Sequence, residues 1–75
     1  MSVYTELLKI LADYSERVDA AEVNDNDFTE FQKLQPRIIN AYQTGYFKHR
    51  EYSTLNNIYF YVKEGFRIVL GLEGR

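Results

Sequence analysis

The densest cluster of oxygen ligands in this sequence is Asp25-Asn-Asp-Phe-Thr-Glu30, with three carboxylates inside six positions. Clustered oxygens suit a hard cation, and a calcium loop would need a glycine at its sixth position and a glutamate at its twelfth. A loop opened at Asp25 puts Glu30 sixth and Pro36 twelfth. The segment therefore reads as a polar turn with a helix cap. Asp25, Asp27 and Glu30 become an acidic pole that could steer the protein toward a basic surface. No metal and no other cofactor is expected.

Catalytic chemistry finds little else to use. There is no cysteine, so disulfides, thiolate ligands and thiol nucleophiles are all excluded. The single histidine, His49, cannot build a zinc site that needs about four ligands. Seven tyrosines are present, but no base or metal-binding group accompanies them in sequence. Asp13 and Glu16 fall on the outer side of a helix, a solvated face with no second catalytic group beside them. An enzyme is not expected, and no small-molecule substrate is evident.

A basic stretch, Lys48-His49-Arg50, follows Gly45 and opens an aromatic segment. Two helices around that turn could imitate a helix-turn-helix, with Arg50, Ser53, Thr54, Asn56 and Asn57 toward a major groove. Lys48, Arg50 and Asn57 are the residues this reading would use. Against it stands the net charge of −2, because nucleic-acid binding wants a net basic face. The charges are divided along the chain. Seven acids lie between Asp13 and Glu30 against Arg17 alone; from Phe31 onward seven bases stand against Glu51, Glu64 and Glu73.

The elements that position these residues follow from periodicity. Ser2 can cap a helix whose Tyr4, Leu7, Leu11, Tyr14 and Val18 share one face, and no glycine or proline interrupts Val3 to Val23. Val23-Asn-Asp-Asn-Asp27 is turn chemistry. Asp27 and Glu30 have capping-box spacing, which predicts a second helix starting at Asp27. Phe28, Phe31, Leu34, Ile38, Ala41 and Tyr42 form its inner stripe. Pro36 lies inside it and predicts a kink or a break into two short helices. That helix should end at Thr44, with Gly45 in the left-handed conformation. Phe47 and Tyr52 have the spacing of a hydrophobic staple around a helix start near Lys48, with Ser53 as a rival start.

The last third admits two folds. As a helix, Tyr52, Leu55, Tyr59, Val62, Phe66 and Val69 form a heptad-like seam. As a hairpin, strands 58–62 and 66–70 would be joined by Lys63-Glu64-Gly65, a favoured three-residue loop. The helical seam accounts for Tyr52 and Leu55, which the hairpin leaves aside. The expected fold is therefore all-α: one domain over residues 1–75, a small antiparallel three-helix bundle with a Pro-kinked second helix. The alternative is α+β, two or three helices followed by the C-terminal hairpin.

A third helix with apolar residues on more than one side has more apolar surface than two small neighbours can cover. Tyr59, Phe60, Tyr61, Ile68 and Leu72 are the expected partner-binding residues. The function expected is a non-enzymatic protein-interaction module, working as a homodimer or by docking a tyrosine-rich face on a partner protein. The layout of a capped helix, a proline-interrupted helix and an aromatic third segment resembles small accessory and inhibitor proteins of bacteria and their phages, without a motif that names a family. A helix-turn-helix or winged-helix DNA-binding regulator is the alternative. The chain shows no targeting leader and no apolar run near the ~20 residues of a membrane span, which fits the cytoplasm.

Overall fold

The computed structural model describes residues 2–72; Glu73 and Arg75, counted in the charge layout, lie outside them. Four helices follow one another: α1 (Val3–Asp19), α2 (Asp25–Gln32), α3 (Leu34–Gln43) and α4 (His49–Val69). Among the described residues there is no strand. The hairpin alternative is overturned, since residues 58–69 continue α4 without interruption. The physical reason is Gly65. A Cβ built there would sit 2.6 Å from Cγ1 of Val18. The glycine is required by the closeness of α1 and α4, not by a turn.

Ser2 caps α1 as its sequence predicts, accepting from the Thr5 amide at 3.1 Å. The helix stops at Asp19, four residues before Val23. Ala21 there adopts φ +57°, and the Ala21 and Glu22 amides donate to the Val18 and Arg17 carbonyls at 2.9 and 2.8 Å. That pair of bonds is a Schellman motif, completed by alanine where glycine is usual. The same motif ends α3 at Gly45 and α4 at Gly71, both with positive φ.

The predicted capping box is displaced by three residues. Asn24 is the cap, accepting from the Asp27 amide, while the Asp27 carboxylate accepts from the Asn24 amide, each at 2.9 Å. Asp27 is thus the third residue of the helix and not its cap; Glu30 instead pairs with Lys33 at 3.1 Å. The expected break into two short helices is present, three residues before Pro36. An unbroken helix would drive the Pro36 ring into the Gln32 carbonyl four residues earlier. The chain changes direction at Lys33, and Pro36 falls in the first turn of α3, where its missing N–H has no intrahelical partner to lose. The last helix starts at the predicted place. The Glu51 carboxylate accepts from the Lys48 amide at 2.9 Å, half of a capping box, since a lysine ammonium cannot accept in return.

Contacts along the helices fix the topology. Tyr4 packs near Phe47 and Tyr14 near Phe66, so α1 and α4 run parallel. Phe28 meets Phe66, Phe31 meets Tyr59 and Tyr42 meets Tyr52, so the α2–α3 leg runs antiparallel to α4 along its length. The result is an up-down-up three-helix bundle whose middle leg is broken at Lys33. Its core holds Leu7, Leu11, Val18, Phe31, Leu34, Ile38, Leu55, Tyr59, Val62 and Phe66, with Ala41 and Phe47. Phe31 is the hub of one end, stacked on Tyr59 at 4.5 Å and touching Tyr14, Phe28 and Phe66. Tyr42, stacked on Tyr52 at 4.3 Å and packed with Phe47, anchors the other. Most of the aromatic content is spent inside the chain.

Candidate interaction face on the last helix

At 21 residues, α4 runs about 31 Å at 1.5 Å per residue, most of the 36 Å long axis of the molecule. One side of it is covered by α1, α2 and α3. Its opposite side is exposed at Arg50, Asn57, Tyr61, Glu64 and Ile68, and half-buried at Thr54.

The expected partner residues divide accordingly. Tyr61 is 70% exposed, Ile68 64% and Phe60 48%. Tyr61 and Ile68 are seven apart and lie one above the other, two turns separated. Phe60 is turned about 100° away from Tyr61 and has the Lys63 ammonium 5.8 Å from its ring centre. It borders the face but does not share its centre. Tyr59 is a correction: at 1% exposure and stacked on Phe31, it belongs to the core and cannot meet a partner. The inner seam already claimed it, and a helical position cannot face both ways. Leu72 is half-buried beyond the end of α4 and lines a shallow recess with Phe28, Lys63 and Arg67, away from Tyr61. Val69, expected in the core seam, is partly exposed.

Between α1 and α4, under Tyr61 and Ile68, lies a groove of about 180 Å³. Val18, Val62 and Gly65 form its floor, and Asp19, Ser15 and Glu64 its rim. The groove exists because Gly65 carries no side chain. Sequence reading found Tyr61 and Ile68 by subtraction from the seam; it missed Val18 and Gly65, whose closeness across two helices has no local signal.

The acidic pole is less charged than its sequence suggests. Arg17 reaches from α1 to Asp27 at 2.7 Å and to Asp13 at 3.9 Å. The Arg17 guanidinium, then the Asn24 amide, hold the Asp27 carboxyl below the ordinary carboxylate range, and the same pairing raises Arg17. Glu30 is shared with Lys33. Asp25 has no ion pair among the described residues.

Lys48, Arg50 and Asn57 are all exposed at the opposite, N-terminal half of α4. Arg50 and Asn57 share the outer stripe with Tyr61, since steps of seven (Arg50 to Asn57) and four (Asn57 to Tyr61) both return close to the same side. Asn56 is turned inward, and its Oδ1 is enclosed without a hydrogen-bond partner. Burial pushes both Tyr14 and Tyr59 up from the ordinary phenol value, with Arg17 partly opposing it at Tyr14. Among the described residues no three His, Cys, Asp or Glu side chains converge on a metal-sized site, and no helix is long and apolar enough to cross a membrane. No protein-family model, curated protein or solved structure matches this chain.

Proposed function

We propose that this chain is a small non-enzymatic protein-interaction module of the cytoplasm that docks the outer face of α4 on another protein surface. One observation carries the reading: Tyr61 and Ile68 stand largely exposed, two turns apart, over an apolar groove floored by Val18 and Gly65. Tyrosine beside an aliphatic anchor is the side-chain type that dominates interface hot spots, because it buries much area at low entropy cost and keeps a polar tip. A helix face of this kind, presented rigidly on a bundle, binds without paying to fold first. Compartment is read from the absence of cysteine, which fits reducing conditions.

The DNA-binding alternative draws less support. A helix-turn-helix sets its two helices at roughly 90–120°, whereas the α2–α3 leg runs antiparallel along α4. A winged helix needs a hairpin wing, and residues 63–65 lie within α4.

The test is a photo-crosslinking residue at position 61, compared with one at the exposed Gln43 on α3, in the source cell. The reading expects discrete adducts from position 61 that disappear with Ile68→Glu while the helical circular dichroism is retained. Adducts from position 43 alone, or adducts indifferent to Ile68→Glu, would overturn it.

A further inference from the structure

The outer face of α4 has heptad spacing, with Tyr61 and Ile68 as its apolar members. Arg50, Thr54, Asn57, Tyr61, Glu64 and Ile68 alternate four- and three-residue spacing, the pattern that keeps side chains in line along a helix. All are exposed except Thr54, which is half-buried. The seam has a charge order. Arg50 stands seven residues before Asn57 and Glu64 seven after, about 21 Å apart along the axis. Arg50 makes no ion pair among the described residues; Glu64 has an exposed contact to Arg67 at 3.5 Å. The groove edge beside Glu64 and Asp19 is acidic, with Lys63 and Arg67 on the other side of Glu64, and the helix start carries Lys48 and Arg50 with Glu51.

We propose that the occupant of this face is a second copy of the chain, docked antiparallel, α4 against α4, about a two-fold axis passing at Asn57. The inference rests on the docking reading above and names its partner. A two-fold contact is self-complementary: whatever residue i touches on the partner, that residue's equivalent touches i in return. Centred on Asn57, the axis brings each Arg50 to the other copy's Glu64, forming two ion pairs. It also carries the basic helix start of each copy to the acid-rimmed groove of the other. The two Asn57 amides face each other, and an amide, being both donor and acceptor, can pair with its own image. One polar residue at a seam position is a known way to fix register. Parallel pairing would instead set Arg50 on Arg50 and Glu64 on Glu64, and like charges face to face select against it. A single-helix seam with this many polar positions makes a small interface, so the dimer dissociates on dilution.

The absence of cysteine makes the register directly testable in the full chain. Asn57→Cys should oxidise to a disulfide-linked dimer. Arg50→Cys alone should not crosslink, but mixed with Glu64→Cys it should give a heterodimeric adduct. Light scattering over a concentration series should show the mass rising toward twice that of the monomer. Arg50→Glu and Glu64→Arg should each abolish that rise, and the two changes together should restore it. A monomeric mass at every concentration, or an Arg50→Cys self-adduct without the mixed adduct, overturns the proposal. The two readings fail separately. A monomer that still gives Ile68-dependent adducts from position 61 in cells rejects the second copy and keeps the docking face; a monomer with no such adducts rejects both.

Discussion

Gly65→Ala should change sign with its neighbour. In an ordinary helix interior, glycine to alanine stabilises by about 1 kcal/mol. Here the new Cβ would fall 2.6 Å from Cγ1 of Val18, well inside van der Waals contact. Val18 cannot swing aside easily: it is buried, and a β-branched side chain on a helix has one strongly preferred rotamer. Overpacking of this kind costs ~1–3 kcal/mol. Taking its middle value against the propensity gain, the net is about 1 kcal/mol of destabilisation, or a Tm lower by about 4–8 °C for a domain this size. Val18→Ala alone removes two methyl groups and should cost about 2 kcal/mol. In that background the alanine at 65 occupies vacated space, so Gly65→Ala should now stabilise by about 1 kcal/mol. The coupling energy of the cycle is then about 2 kcal/mol, large enough to measure by urea unfolding. If Gly65→Ala stabilises both backgrounds equally, the close approach of α1 and α4 is refuted, and with it the origin of the groove.

Three further outcomes follow from single features. Ala21 ends α1 at φ +57°, so Ala21→Gly should stabilise by ~0.5–1 kcal/mol by relieving the left-handed alanine, measured by thermal melting; no gain would deny the Schellman ending. Asn56 has an enclosed, unpartnered Oδ1, so Asn56→Leu should be neutral or stabilise by about 1 kcal/mol in urea; a clear loss would mean the amide has a partner. The Asp27 carboxyl is held below its ordinary value by Arg17 and then Asn24. A depressed folded pKa gives stability that is fully present above the unfolded value near ~4 and fades as pH falls through the folded one. The advantage of the native chain over Asp27→Asn should therefore hold at pH 7 and shrink toward pH 2; an advantage that does not vary with pH would contradict the Arg17 pairing.

What was legible in the sequence is what local periodicity writes down. The Ser2 cap, the Gly45 ending and the inner seam of α4 as far as Phe66 each rest on residues a few positions apart, and each appears in the fold, while Val69 at the end of that seam is exposed. The misplaced features share a different cause. Asp27 and Glu30 have capping-box spacing, yet so do Asn24 and Asp27, and choosing between them depends on where Arg17 of α1 arrives. Gly65 looked like a hairpin loop because its real neighbour, Val18, is 47 positions away in the chain. Tyr59 was counted both in the core seam and on the partner face; only the Phe31 ring, brought in by the middle leg, assigns it to the core. Tyr61 and Ile68 were legible for the opposite reason, since a helix of fixed pitch leaves them nowhere inside to go.

The inner face of α4 holds the bundle, and the outer face is the one proposed to hold another molecule of the same chain. Amide shifts of ¹⁵N-labelled protein across a concentration series test it most directly. Concentration-dependent shifts or broadening are expected, confined to the outer seam of α4, at Arg50, Thr54, Asn57, Tyr61, Glu64 and Ile68, and to the facing groove at Asp19. Shifts that stay constant with concentration, or that move instead on the outer face of α3 around Arg37 and Gln43, would contradict it.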